Sequence, residues 1–194
     1  MTTLGENRIV EPATGENRLG EMLARDGVRI ERLMAGPIER LWNYLIDPDK
    51  RRTWFGAGEI EPRSGGHVAI EIQNAELSDT GDLPPPKYAQ HAGPSQILGR
   101  VTVCEPPRLF GFRWEHAPDL WSEVRIELEP HGDKVMLRLT HTRLPTRDAL
   151  IGVSAGWHTH LDILAARLAG QPPASFWRTM TRLDAIYDQR IPPW

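Results

Sequence analysis

Seven histidines, one cysteine and a scatter of carboxylates are the groups in this 194-residue chain that could ligate a metal, move a proton or act as nucleophiles. Ligation from one helix needs side chains three or four positions apart, because only those share a face. His158 and His160 are two apart and point to different sides, so the spacing predicts two solvated or capping imidazoles. Cys104 stands alone, which excludes an internal disulfide and a multi-cysteine site; in a β-rich stretch it reads as a small buried hydrophobe. No bound metal and no cofactor are expected. Ser154 near Trp157–His158 suggests a nucleophile and base, but it lies inside a helical stripe with no G-x-S-x-G turn around it. Glu71, Glu76 and Asp79 read as solvated acids. His141 differs from all of these. It is in phase with Val135, Leu137 and Leu139 and should point inward, where a polar side chain needs a partner or a ligand. The plain reading is a histidine hydrogen-bonded near a strand end; the functional one is a polar contact in an apolar pocket.

Composition removes several function classes. A formal charge of −3 offers no electrostatic case for nucleic acid, and the longest basic run, Lys50–Arg51–Arg52, reads as a solvated face. No apolar run approaches the roughly 20 residues of a membrane span. The N-terminus lacks a signal-peptide pattern, so a cytoplasmic protein is expected. Gly65–Gly66, Gly152 and Gly156 match no phosphate-binding fingerprint. The aromatic set Trp42, Trp54, Phe55, Phe112, Trp114 and Trp157 is either plain core or the wall of a pocket.

The elements that must position these residues follow from periodicity. Val153, Trp157, Leu161, Leu164 and Leu168 trace one stripe down a helix that Gly170 and Pro172–Pro173 terminate. A one-sided stripe must lie on a flat apolar surface, and the preceding hundred residues read as strands that supply it. Leu19–Ala24 and Val28–Met34 form a hairpin around Asp26–Gly27. Ile38, Leu41, Trp42 and Leu45 mark a short helix ended by Asp47–Pro48. Strands follow at His67–Ile72, Ile97–Val103, Leu109–Trp114, Trp121–Glu129 and Lys134–Thr142. The Pro-, Gly- and Ser-rich stretch 73–96 is a long loop, a kind often functional. Phe176, Met180, Leu183 and Tyr187 predict a further helix. The order is α+β with helices segregated to one face of an antiparallel sheet.

On these residues the chain resembles the SRPBCC (START/Bet v) superfamily of helix-grip proteins. Within it, the chain is most similar to the branch named for the activator of the heat-shock protein 90 ATPase (AHSA-type). Ile30–Glu31–Arg32 with Pro37 through Trp42 resembles the opening strand and "vW" helix, and Asp47–Pro48 through Trp54–Phe55 resembles "dPe…W". Gly99–Arg100–Val101 with Glu105–Pro106–Pro107–Arg108–Leu109 resembles the "G.v.…eP.rl" hairpin. Leu139–Thr140–His141 and Gly156–Trp157 with Leu161 resemble "lth" and "GW…L". The resemblance implies a curved antiparallel sheet wrapped on a long C-terminal helix. The longer 73–96 loop and the helix beyond Gly170 depart from the branch, with consequences for cavity access or oligomerisation.

The chain is therefore read as an N-terminal flexible arm (1–18), a helix-grip domain (19–170) and a C-terminal helical extension (171–194). Its expected function is binding a small hydrophobic or amphipathic ligand between sheet and long helix. Trp54, Phe112, Trp114, Trp157 and Leu161 would pack on the ligand and His141 would supply polar selection. A co-chaperone-like interaction module, which the resemblance raises, and a cyclase- or dehydratase-type enzyme are the alternatives; binding is favoured over catalysis. The enzyme would need an acid–base pair converging in the cavity, and only His141 is visibly placed. A monomer or homodimer is expected.

Overall fold

The structure, a computed structural model, describes residues 18–78 and 81–193. Most of the expected arm, and Asp79, fall outside the described residues. Eight strands realise the alternation: β1 (Glu21–Leu23), β2 (Gly27–Ala35), β3 (Ala57–Ile60), β4 (His67–Ile72), β5 (Ser95–Glu105), β6 (Leu109–Ala117), β7 (Leu120–His131) and β8 (Lys134–Thr142). They pair antiparallel as a curved sheet in the order β1-β2-β8-β7-β6-β5-β4-β3. Alternation puts Val124, Ile126 and Leu128 of β7 and Val135, Leu137, Leu139 and His141 of β8 on the buried face. The register sets Val124 opposite His141 and Trp114 opposite Ser122, so polar side chains gather at one end of an apolar surface.

Among the described residues four α-helices complete the fold: α1 (Ile38–Ile46), α2 (Pro48–Arg51), α3 (Arg147–Leu168) and α4 (Phe176–Arg190). Asp47 caps α2 by accepting from the amides of Asp49 (2.9 Å) and Lys50 (3.1 Å). Thr146 caps α3 through the Ala149 amide at 3.1 Å. Gly170, at φ +69°, closes that helix in the left-handed conformation. The 73–96 segment carries two short 3-10 turns, Asn74–Glu76 and Pro86–His91. It is tied to α4: Lys87 Nζ lies 2.8 Å from Asp184, Tyr88 donates to the same carboxylate, and Ser78 Oγ accepts the Phe176 amide at 3.1 Å.

The interior corrects four sequence expectations. The helix stripe is not one-sided, because α4 packs along α3 and buries Ser154, His158 and Thr159 together with the apolar residues. His158 and His160 are accordingly buried rather than solvated. His160 donates to the Trp54 carbonyl at 2.8 Å, and His158 meets the Tyr187 hydroxyl at 3.1 Å. Arg51 of the basic run is buried, because the turn around it aims several carbonyls inward that need donors. Its guanidinium donates to Leu45 (3.4 Å), Ile46 (2.9 Å), Gly56 (3.2 Å) and Gly58 carbonyls. Cys104 is half-buried, near the end of β5, where the strand leaves the core.

Candidate functional site

Two glycines interrupt the middle of α3, where each costs about 1 kcal/mol of helix propensity relative to alanine. Gly152 and Gly156 share a face with Ala149, Val153, Trp157 and His160, and that face borders a cleft of about 460 Å³. A methyl group added at Gly156 would meet nothing within 4 Å; one at Gly152 would meet the Tyr88 hydroxyl at 3.2 Å. Opposite the glycines stand Trp114 and His116 of β6, Ile72 at the end of β4, and Phe55. The loop 73–96 contributes Tyr88 and His91, and α4 contributes Phe176, Trp177 and Met180. Both segments that depart from the resembling branch thus supply walls.

Rings dominate the lining. Phe55 stacks on Trp157 at 4.8 Å, and His160 sits edge-on to Phe55 at 5.0 Å. Trp114 stacks on His116 at 5.7 Å and on His141 at the same distance. Behind this wall runs a hydrogen-bonded chain. Trp157 Nε1 donates to His141 Nδ1 at 2.9 Å, His141 Nε2 meets Ser122 Oγ at 2.8 Å, and Ser122 Oγ meets His116 Nε2 at 2.9 Å. Burial pushes His141 down to about 3 and His160 down to about 4, so both imidazoles are neutral at pH 7. Burial lowers His116 as well. Neither Ser154 nor Ser122 is placed as a nucleophile. Ser154 donates to the Leu150 carbonyl at 2.6 Å within its helix, and Ser122 is 0% exposed.

Of the six residues expected at the site, Trp114 and Trp157 line the cleft. Trp54 lies beneath it, donating from Nε1 to the Tyr44 carbonyl at 2.9 Å and stacking on Phe55. Phe112 and Leu161 are packed in the core. His141 is fully buried behind Trp157 and reaches the cleft through its partners. Sequence reasoning missed His116, although it continues the alternation of Phe112 and Trp114 by one step. It also missed His160 and Tyr88; no local signal marks Tyr88. No group of three or more metal-ligating side chains occurs among the described residues.

A second buried cluster lies on another side of α3. Arg32 faces Asp162 at 3.5 Å and donates to the Arg18 carbonyl at 2.8 Å, while Tyr187 accepts the Gly20 amide at 2.7 Å. It ties β2 and the segment before β1 to α3 and α4.

The profile of the family described as Activator of Hsp90 ATPase homolog 1-like protein matches residues 35–169. No curated protein gives a significant match. Among solved structures, a protein of Bordetella parapertussis is similar at 38% identity over 92% of this chain and 95% of that one, with a TM-score of 0.74. CalU16 of Micromonospora echinospora is similar at 22% identity over 85% and 88%, TM-score 0.63. The Aha1 dimer of Colwellia psychrerythraea is similar at 16% identity over 73% and 95%, TM-score 0.54. The last two likenesses show the fold alone. Helix α4 lies beyond the residues that the family profile matches. No helix among the described residues is long and apolar enough to cross a membrane.

Proposed function

This chain belongs to the Activator of Hsp90 ATPase homolog 1-like family, of the SRPBCC helix-grip type, and from that premise we propose that it binds a small hydrophobic or amphipathic molecule in the cleft between α3, α4 and the sheet. The observation that carries this reading is the open space at Gly156. A helix that gives up propensity there, and fills the position with no side chain, leaves open volume where a packed core would be more stable; Gly152 makes room for the Tyr88 ring at the edge of that volume. The volume of about 460 Å³ lies in the range of small-molecule sites, which combine apolar walls with a few polar groups. Trp114 and Trp157 are the walls that touch the ligand. Trp54, Phe112 and Leu161 hold those walls from behind, and His141 acts through Trp157 and Ser122.

Fatty-acid-like and aromatic probes are expected to raise the melting temperature and quench tryptophan fluorescence. At a hundredfold excess over its dissociation constant, a ligand stabilises the fold by about 2.7 kcal/mol. Gly156→Leu should place a side chain in the open space, abolish both effects and leave the fold intact. A broad panel with no stabilising ligand, or ligands that bind Gly156→Leu as tightly as the parent, would overturn the reading.

A further inference from the structure

Ser122 carries one hydrogen and stands between two imidazoles, and that fact dictates where each imidazole holds its proton. His141 Nδ1 accepts the Trp157 indole N–H, so neutral His141 is protonated at Nε2 and donates to Ser122 Oγ. The hydroxyl hydrogen of Ser122 is then directed to His116 Nε2, which leaves the proton of neutral His116 on Nδ1. The chain starts at an indole N–H, which does not give up its proton at neutral pH, so it conducts no proton and serves to orient rings. A protonated His116 would turn a second N–H toward Ser122 and strand the serine hydrogen in a fully buried position, at the cost of an unmade hydrogen bond. The pairing of β6 with β7 is also irregular between Glu115 and Ala117, so the strand is bulged at His116. Bulges re-aim side chains and concentrate near sites.

We propose that His116, through its Nδ1–H, donates a hydrogen bond to the neutral carbonyl oxygen of a flat aromatic ketone held in the cleft, with Ser122 and His141 as positioning residues. The proposal rests on the reading of the cleft as a ligand site. Flatness follows from the walls: Trp114, Trp157, Phe55 and Trp177 present rings, which favour stacked or edge-on aromatic partners. Neutrality follows from the chain: a carboxylate is met best by an imidazolium, the state that Ser122 disfavours.

Calorimetric titration of the full chain with methyl naphthyl ketone and with isopropenylnaphthalene, which replaces the carbonyl oxygen by a CH2 group, isolates the predicted bond. The ketone should bind about three- to tenfold tighter, the range one net hydrogen bond supplies. In His116→Phe that preference should vanish while the hydrocarbon keeps its affinity. Ser122→Ala should shrink the preference, again without moving the hydrocarbon. Nitrogen-15 NMR of the ligand-free parent should find His116 protonated at Nδ1 and His141 at Nε2, a readout independent of any variant's folding. Equal binding of the two probes, or His116 protonated at Nε2, overturns the proposal and leaves the cleft a ligand site. Binding of neither probe overturns this proposal; the ligand-site reading falls with it only if the broad panel of fatty-acid-like and aromatic probes also finds no ligand.

Discussion

Arg51 satisfies carbonyls from both ends of one tight turn, and it does so away from water. Burial lowers its pKa to about 10, so it remains charged at neutral pH and its bonds are charge-assisted. Hydrogen bonds to charged groups contribute about 1.5–3 kcal/mol each. Arg51→Met, which keeps the apolar stem and removes the donors, should therefore cost at least 3 kcal/mol by the shift in urea midpoint; a shift below about 1 kcal/mol would show that water replaces the guanidinium. Three buried histidines predict how stability depends on pH. Burial holds His141 and His158 at about 3 and His160 at about 4, whereas in the unfolded chain each titrates near ~6.5. Below that value the unfolded state takes up protons that the folded state refuses. Their contribution is thus fully present above about pH 6.5 and is lost as pH falls, down to about 4 for His160 and about 3 for His141 and His158. Each histidine contributes at most about 1.4 kcal/mol per pH unit in that window. Asp162, raised by burial, opposes the loss at the acid end, because the folded state then takes up its proton first. Urea midpoints measured at pH 7.5 and 5.0 should fall steeply; equal midpoints would mean that the histidines are hydrated.

At the scale of elements, α3 serves two neighbours with different demands. Toward the sheet it offers Leu161 and Leu164, packed and fully buried; toward the cleft it offers glycine. The two glycines should respond differently to the same change. Gly156→Ala places a methyl group in open space and should stabilise by about 0.5–1 kcal/mol through helix propensity. Gly152→Ala presses its methyl group on the Tyr88 hydroxyl, which is anchored to Asp184, so that gain should disappear or reverse. Melting temperatures of the two variants decide it. Equal stabilisation by both would show that Tyr88 yields, and with it the wall that the 73–96 loop contributes.

At the scale of the molecule, α4 is part of the core rather than an appendage. Phe176, Trp177, Met180, Leu183 and Tyr187 are buried, and Arg147 at the start of α3 binds Asp188 at 2.7 Å and the Ile191 carbonyl at 3.0 Å. Losing one large buried aromatic costs about 3–5 kcal/mol, and a domain's whole stability is about 5–15 kcal/mol. A chain ending at Gly170 should accordingly lose its cooperative thermal transition and expose apolar surface. A truncated chain melting within a few degrees of the full one would return α4 to the status of an extension.

What could be read in the chain is whatever depends on short-range periodicity. Alternation in β7 and β8 and the stripe Trp157–Leu161–Leu164–Leu168 predict the sheet, the long helix and their contact. Order along the chain, with the family-like residues between Ile30 and Leu161, identifies the helix-grip arrangement. His141 was legible as an inward polar group because period two carries it to the buried face. Long-range placement was not legible. Nothing local shows that α4 would fold over α3, so His158, His160 and Arg51 looked solvated. Nothing local assigns Phe112 and Leu161 to packed core while Trp114 and Trp157 border open space. That division depends on how close three segments distant in sequence approach one another: loop 73–96 meets α4 through Lys87 and Tyr88 on Asp184, through Tyr88 on the Trp177 ring and through Ser78 on the Phe176 amide. A cleft is the volume such segments fail to fill, and no single segment encodes it.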